Sequence, residues 1–298
     1  MMLINTEKTI GETIREIRKS LGLTQEDIAE KNVISRSAIA KIEANKMNPS
    51  VELLNIILFK LRIEYREFIF IQKDYSLTER EKIIHDFKRL GNSVYKDAAM
   101  KLNGEMVNYL AANDDPEIQE LHAVLRALTR FQDTQEFHES INEIKFIWDR
   151  LKNQDNWHEF DIYLLSHIFF KFEPGDVDTM VTNLLKNVDK YRDFNTNNTL
   201  KISLLLNIIT YYKYHGMLLQ SEKYIEEAYN LASIEKDFRR KLAAMYRQCE
   251  VDFVKGNAVQ ANQKAEQIFQ ALHTLNEKEL YEDWHDEWDK LTKKGPAK

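Results

Sequence analysis

The run Thr24-Gln25-Glu26-Asp27-Ile28-Ala29, followed after a short break by Ser35-Arg36-Ser37-Ala38-Ile39-Ala40-Lys41-Ile42-Glu43, decides the fold of the chain around it. Thr24 is a helix-capping type, and Asp27 three residues on makes a weaker relative of a capping box. Gln25 to Lys31 is therefore expected to be helical, with Ile28 and Ala29 turned inward. Asn32-Val33-Ile34 reads as a turn. Ser35 then caps a further helix, with Ile39 and Ile42 inward and Arg36, Ser37, Ala40 and Lys41 outward. Two short helices across a three-residue turn, with small Ala29 at their closest approach, have the spacing of a helix-turn-helix.

Working outward, Ile10, Ile14, Ile17 and Leu21 lie at helical spacing on a preceding helix, which Gly22 closes. Asn45-Lys46-Met47-Asn48-Pro49 breaks the chain again, and Ser50 caps a helix built on Val51, Leu53, Leu54, Ile57 and Leu58. A fifth helix, Glu64 to Gln72, completes a five-helix domain over residues 1–72.

The remainder, 73–298, reads as one helix after another. Only 8 Gly and 4 Pro serve 298 residues, too few for the many turns of a sheet protein, so the fold is expected to be all-α. Helix starts are expected at Ser76, Asp115, Thr134, Pro174 and Asn198, with Ser76-Leu77-Thr78-Glu79 as the cap of a linker helix.

An internal repeat appears at an offset of 40, laying Leu204–Ala232 over Ala244–Leu272. Gly216 falls on Gly256, Ser221 on Ala261 and Leu231 on Ala271. Each copy is a helix, a Gly-containing turn and a second helix, a degenerate tetratricopeptide-like pair. Stacked pairs of this kind form a right-handed superhelix whose first helices line a groove. In that orientation Asn207 and Arg247 are equivalent and face the groove. Asn suits a peptide backbone and Arg a carboxylate. Ser203, Thr210, Tyr246 and Glu250 share their face; an ordinary surface role reads equally well for all six. Trp148, Trp157, Phe160, Tyr163, Phe169, Phe170 and Phe172 read as core or groove floor. Leu280, Tyr281, Trp284, Trp288 and Leu291 make an amphipathic tail, either a cap on the array or a dimer contact.

Net charge is −6, but it is unevenly spread. Residues 1–72 hold 11 Lys and Arg against 10 Asp and Glu, and the rest 31 against 38. A local basic patch can bind DNA while the other domain stays acidic. The lone Cys249 forms no internal disulfide framework and fits a reducing compartment. With no leader and no run of eighteen apolar residues, the chain is expected to be cytoplasmic and away from membranes. No catalytic constellation is present: His158-Glu159 begins a zinc-protease motif, but Ile162 stands where its second His must be. No metal or cofactor is expected, and the chain is not expected to be an enzyme.

The motif from Thr24 to Glu43, continued by Lys46-Met47-Asn48-Pro49-Ser50, resembles the phage-repressor-like XRE family. That family usually has Gly where Val33 stands; Asn32 beside it is expected to take the left-handed conformation instead. The resemblance implies that Gln25 holds a DNA phosphate, with Thr24 at the same helix start. It further implies that Arg36, Ser37 and Lys41 face the major groove, and that Ser35 and Lys46 contact the backbone. Elsewhere such a basic pair would read as a solvated face.

With about 220 residues of degenerate helical repeats behind it, the chain resembles the Rgg/GadR/MutR regulators of Gram-positive bacteria. That resemblance implies a homodimeric transcription factor, a near-palindromic double-stranded DNA site, and a short hydrophobic signalling peptide in the repeat domain, as in quorum sensing. The linker near Gln72 to Thr78 would transmit the signal. Two other readings stay open: a constitutive regulator whose repeats recruit a protein, and an adaptor using the helix-turn-helix for protein contact.

Overall fold

The computed structural model describes residues 8–90, 95–134, 137–154, 156–168, 174–194 and 198–294. Phe169, Phe170 and Phe172 of the aromatic middle lie outside them. The described residues are helical, with an isolated bridge between Glu30 and Ile34 as their only extended pairing. The chain divides into two compact units, 1–85 and 86–298.

The first unit contains α1 (Ile10–Ser20), α2 (Arg36–Glu43), α3 (Val51–Leu61) and α4 (Tyr65–Gln72). Each of the first three is capped by the side chain before it: Thr9, Ser35 and Ser50 accept from Glu12 N, Ala38 N and Leu53 N. Ile14, Ile28, Ile39, Ile57 and Phe68 are fully buried and meet in one core. Gln72 Nε2 donates to Lys8 O at 2.8 Å, tying the two ends of this bundle together.

Four helices stand here where five were expected. Gln25–Ile28 is a single turn. Thr24 and Asp27 do form the expected reciprocal bonds, Thr24 N to Asp27 Oδ2 at 2.6 Å and Asp27 N to Thr24 Oγ1 at 3.3 Å. Ala29 N then bonds Glu26 O, an i to i−3 bond, and Glu30 and Ile34 exchange both backbone bonds. Those bonds consume the groups a longer helix would need. Asn32 lies at φ +65°, so the left-handed residue of the turn is the Asn and Val33 is spared the strain. Two apolar assignments also change: Leu21 and Val51, at the end and start of their helices, are 49% and 71% exposed.

α5 (Glu79–Leu90) spans the junction of the units. Its cap is Thr78 rather than Ser76: Glu81 N donates to Thr78 Oγ1, and Thr78 N to Glu81 Oε2 at 3.0 Å. Ser76 instead donates to Lys73 O.

The second unit continues with α6 (Lys96–Ala112), α7 (Pro116–Thr134), α8 (Phe137–Leu151), α9 (Glu159–Ile168) and α10 (Pro174–Asp189). It ends with α11 (Thr199–Tyr214), α12 (Glu222–Ile234), α13 (Phe238–Val254), α14 (Ala258–Thr274) and α15 (Lys278–Lys294). The repeat is visible in its caps. Gly216 and Gly256 both have positive φ, and Met217 N→Tyr212 O is matched forty residues on by Asn257 N→Asp252 O. The next caps repeat as well, Asp237 N→Ala232 O against Glu277 N→Leu272 O. Ser221 and Ala261 are fully buried where the helices of each pair cross.

α15 caps this array. Leu280, Trp284 and Trp288 are buried against α13 and α14, with Trp284 stacked on Tyr246 at 4.8 Å between ring centres. None of the described helices is long and apolar enough to cross a membrane.

Candidate nucleic-acid interface and repeat-domain cavity

α2 divides cleanly into two faces. Ile39 and Ile42 are buried, and they fix the rotation of the helix. Arg36, Ser37 and Lys41 consequently project to solvent, and Lys46 follows in the exposed turn after the helix. Among the described residues the charged groups of Arg36, Lys41 and Lys46 enter no ion pair, so their donors are available. Lys46 N closes α2 by bonding Lys41 O at 2.8 Å. Ser35 Oγ caps the helix and lies 3.0 Å from Ser37 Oγ. Thr24 Oγ1 donates to Asp27, whose carboxyl that bond and the Thr24 N–H hold below the usual carboxylate range.

Gln25 is half-buried and held from beneath. Its Nε2 donates to Glu43 Oε2 at 2.9 Å, while Arg18 Nε and Nη2 reach the two oxygens of the same carboxylate at 2.6 and 2.8 Å. Arg18 also donates to Leu23 O. This network fastens α1, the Gln25 turn and the end of α2 to one buried acid. Sequence spacing missed it, because 25 residues separate Arg18 from Glu43 and nothing local pairs them.

α1 and α2 also meet at Gly11. A Cβ there would stand 2.0 Å from Ile42 O, so only glycine allows the crossing.

The second unit holds a cavity of about 500 Å³. α11 and α13, the first helices of the two repeats, supply one wall through Ser203, Asn207, Thr210, Arg240 and Arg247. α5, α7, α9 and α15 supply the rest, including Phe87, Phe131, Tyr163, Asp283 and Trp284. Asn207 Nδ2 donates to Ser166 O, Thr210 Oγ1 to Leu206 O, and Ser203 Oγ accepts from Arg240 Nε at 2.9 Å.

Four of the six residues expected on this surface therefore do line it; Tyr246 and Glu250 do not. Both are fully buried, because α15 covers the face of α13 that a bare helical pair would expose. Tyr246 donates its hydroxyl to Trp284 O at 2.8 Å, and burial pushes that phenol far above its ordinary range. Glu250 is locked in a closed charge square. Lys213 Nζ stands 2.6 Å from Glu250 and 2.8 Å from Glu287, and Arg247 Nη1 stands 2.8 Å from each.

Cys249 sits behind this wall, buried, its thiol pushed up to about 11 by burial. His167, also on the lining, is held below its usual range by burial. Among the described residues no group of His, Cys, Asp and Glu could hold a metal ion.

A capped helix-turn-helix with an open basic face, followed by a helical-repeat unit, defines the class: a DNA-binding transcription regulator. Residues 14–68 match the helix-turn-helix family, and residues 102–285 match the C-terminal domain of the HTH-type transcriptional regulator Rgg. The chain belongs to the Rgg family of transcriptional regulators.

Solved structures share this fold at low identity. A protein from Listeria monocytogenes EGD-e described as a transcriptional regulator is 21% identical, with a TM-score of 0.76 over 97% of this chain and 98% of its own. The SHP pheromone receptor Rgg2 of Streptococcus dysgalactiae is 20% identical, with a TM-score of 0.65 over 95% of this chain and all of its own (100%). ComR from S. thermophilus, solved with DNA and its signalling peptide ComS, is 14% identical, with a TM-score of 0.63 over 93% of this chain and 98% of its own.

Proposed function

We propose that this regulator is a homodimer that reads a near-palindromic promoter site through α2 and is controlled by a short hydrophobic peptide held in the cavity of the second unit. The observation that carries the DNA reading is the open cationic face of α2 opposite Ile39 and Ile42. Arg36 and Lys41 reach base edges in the major groove, Arg36 being suited to the paired acceptors of guanine. Ser37 lies beside them. Gln25, steadied by Glu43, takes a phosphate together with Thr24 at the turn, and Ser35 and Lys46 contact the backbone. The peptide reading is supported by the cavity itself. Asn207 and Thr210 offer it polar groups and Phe131, Tyr163 and Trp284 aromatic surface. Two solved relatives in fold are named as a pheromone receptor and as a complex with a signalling peptide.

A titration of the full chain onto the DNA beside its own gene tests this, run at graded KCl with and without conditioned medium. Specific binding should fall steeply with salt, because each neutralised phosphate releases counterions. Arg36→Ala should cost about 1–3 kcal/mol at one base position, whereas Lys46→Ala should weaken all sequences alike and lower the salt slope by about one. Binding that ignores both substitutions would exclude α2 as the reading element. Binding indifferent to medium and to every added peptide would leave a regulator without this ligand.

A further inference from the structure

The charge square in the cavity wall has a consequence for ligand polarity. Arg247 was expected to grip a ligand carboxylate, yet its guanidinium is already held between Glu250 and Glu287. Lys213, the other cation there, is shared by the same two acids. Two cations and two carboxylates close on each other, and Arg247, the member of the square that lines the cavity, has its charge already matched by both acids.

Two acids of the lining stand outside the square, Glu159 on α9 and Asp283 on α15. Asp283 lies on the cavity lining, one helical turn before Glu287 on α15. Among the described residues it has no ion pair; its hydrogen-bond partner is the neutral amide of Gln132, at 3.2 Å. Burial and the neighbouring Glu287 raise its pKa and outweigh the opposing pull of Gln132, Arg247 and Lys213. The other end of the wall has the opposite character. Arg239 and Arg240 line it, the latter paired with Asp237 at 2.6 Å and seven residues from Arg247 on α13, about 10 Å along the helix.

We infer that Asp283 is the ligand-reading carboxylate of the cavity, taking a cationic group of the bound peptide, its terminal ammonium or a basic side chain. This rests on the peptide reading above and adds its chemistry: the cation lies at the α15 side of the cavity, against Asp283. A cation at that point gives Asp283 the charge-assisted hydrogen bond it lacks, and the closed square leaves Arg247 as a support for the wall.

The test uses the full-length protein and an equimolar library of octapeptides built from Leu, Ile, Phe, Gly, Ser and Lys with free termini. Peptides retained through size exclusion are identified by mass and resynthesised in two neutralised forms, one N-acetylated and one with Lys replaced by norleucine. On the wild-type protein one of these changes should weaken binding by tenfold or more in calorimetry, and which one names the source of the cation. On Asp283→Asn, which keeps the shape of the side chain, the same change should matter less than twofold. If neither neutralisation weakens binding, or if the loss is equally large on Asp283→Asn, the inference fails while the peptide reading stands. If the wild-type protein retains no peptide, both fall together.

Discussion

Glu43 accepts both Nε and Nη2 of Arg18, at 2.6 and 2.8 Å, with the two side chains only 4% and 10% exposed. The pair bridges α1 and the last residue of α2, and the same carboxylate holds Gln25. Burial alone would raise the pKa of Glu43. Arg18 and Gln25 outweigh it, so the group is held below its ordinary range. A carboxylate with a depressed folded pKa stabilises above its unfolded value, and that stability is lost as pH falls through the folded value.

Glu43→Gln is therefore expected to destabilise the first unit by about 3 kcal/mol near pH 7, because it leaves the Arg18 cation buried without its counter-charge. The deficit should shrink as pH drops below the normal carboxylate range, where wild type loses the same contribution. Amide hydrogen exchange in α1 and α2, followed against pH, reads this directly. A deficit that stays constant from pH 7 to 3 would show that the pair contributes nothing through charge.

Gly11→Ala sets two known effects against each other. Alanine favours a helix over glycine by about 1 kcal/mol. Here the added methyl would press on Asn45 Oδ1 at 2.6 Å and, at 2.0 Å, on Ile42 O, which belongs to the α2 backbone and cannot retreat cheaply. Overpacking of this kind costs about 1–3 kcal/mol, so the substitution should lower the Tm of the first unit. It should also weaken DNA binding, since α1 seats α2. A raised Tm would mean that α2 moves freely.

Which features could be read from sequence follows from the range of the interactions behind them. Ser35 and Ser50 act within one turn of themselves, and their caps were legible. So was the repeat, because Gly216 and Gly256 end α11 and α13 with the same left-handed cap and the same backbone bonds. Asn32 was legible for the same local reason. The Gln25 turn is shorter than its local spacing predicts because the competing bond between Glu30 and Ile34 forms only once the chain has reversed. Glu43 gave no local sign of its distant partner. The spacing of Tyr246 and Glu250 predicts an open face because an isolated pair of helices has one. The third layer, α15, removes it, and nothing in the spacing of α13 announces which neighbour will arrive.

Arg247 offers the sharpest separation between a supporting and a ligand-gripping role. Its charge stands 2.8 Å from both Glu250 and Glu287, and with Lys213 it holds the Glu287 carboxyl well below its usual range despite burial. Arg247→Met would leave two carboxylates sharing Lys213 alone, a loss of about 3 kcal/mol for a broken buried pair. The sign of the pH dependence follows. Glu287 contributes above its unfolded pKa, so the difference in Tm between wild type and variant should be largest near neutrality and should close on acidification. Arg247→Met/Glu287→Leu, which removes one charge of each sign, should recover part of the Tm at pH 7 because Lys213 and Glu250 are left paired. A gripping role would instead leave Tm unchanged in Arg247→Met and abolish binding of peptides by their carboxylate. Thermal unfolding monitored by the tryptophans of α15, which lie against α13, distinguishes the two outcomes.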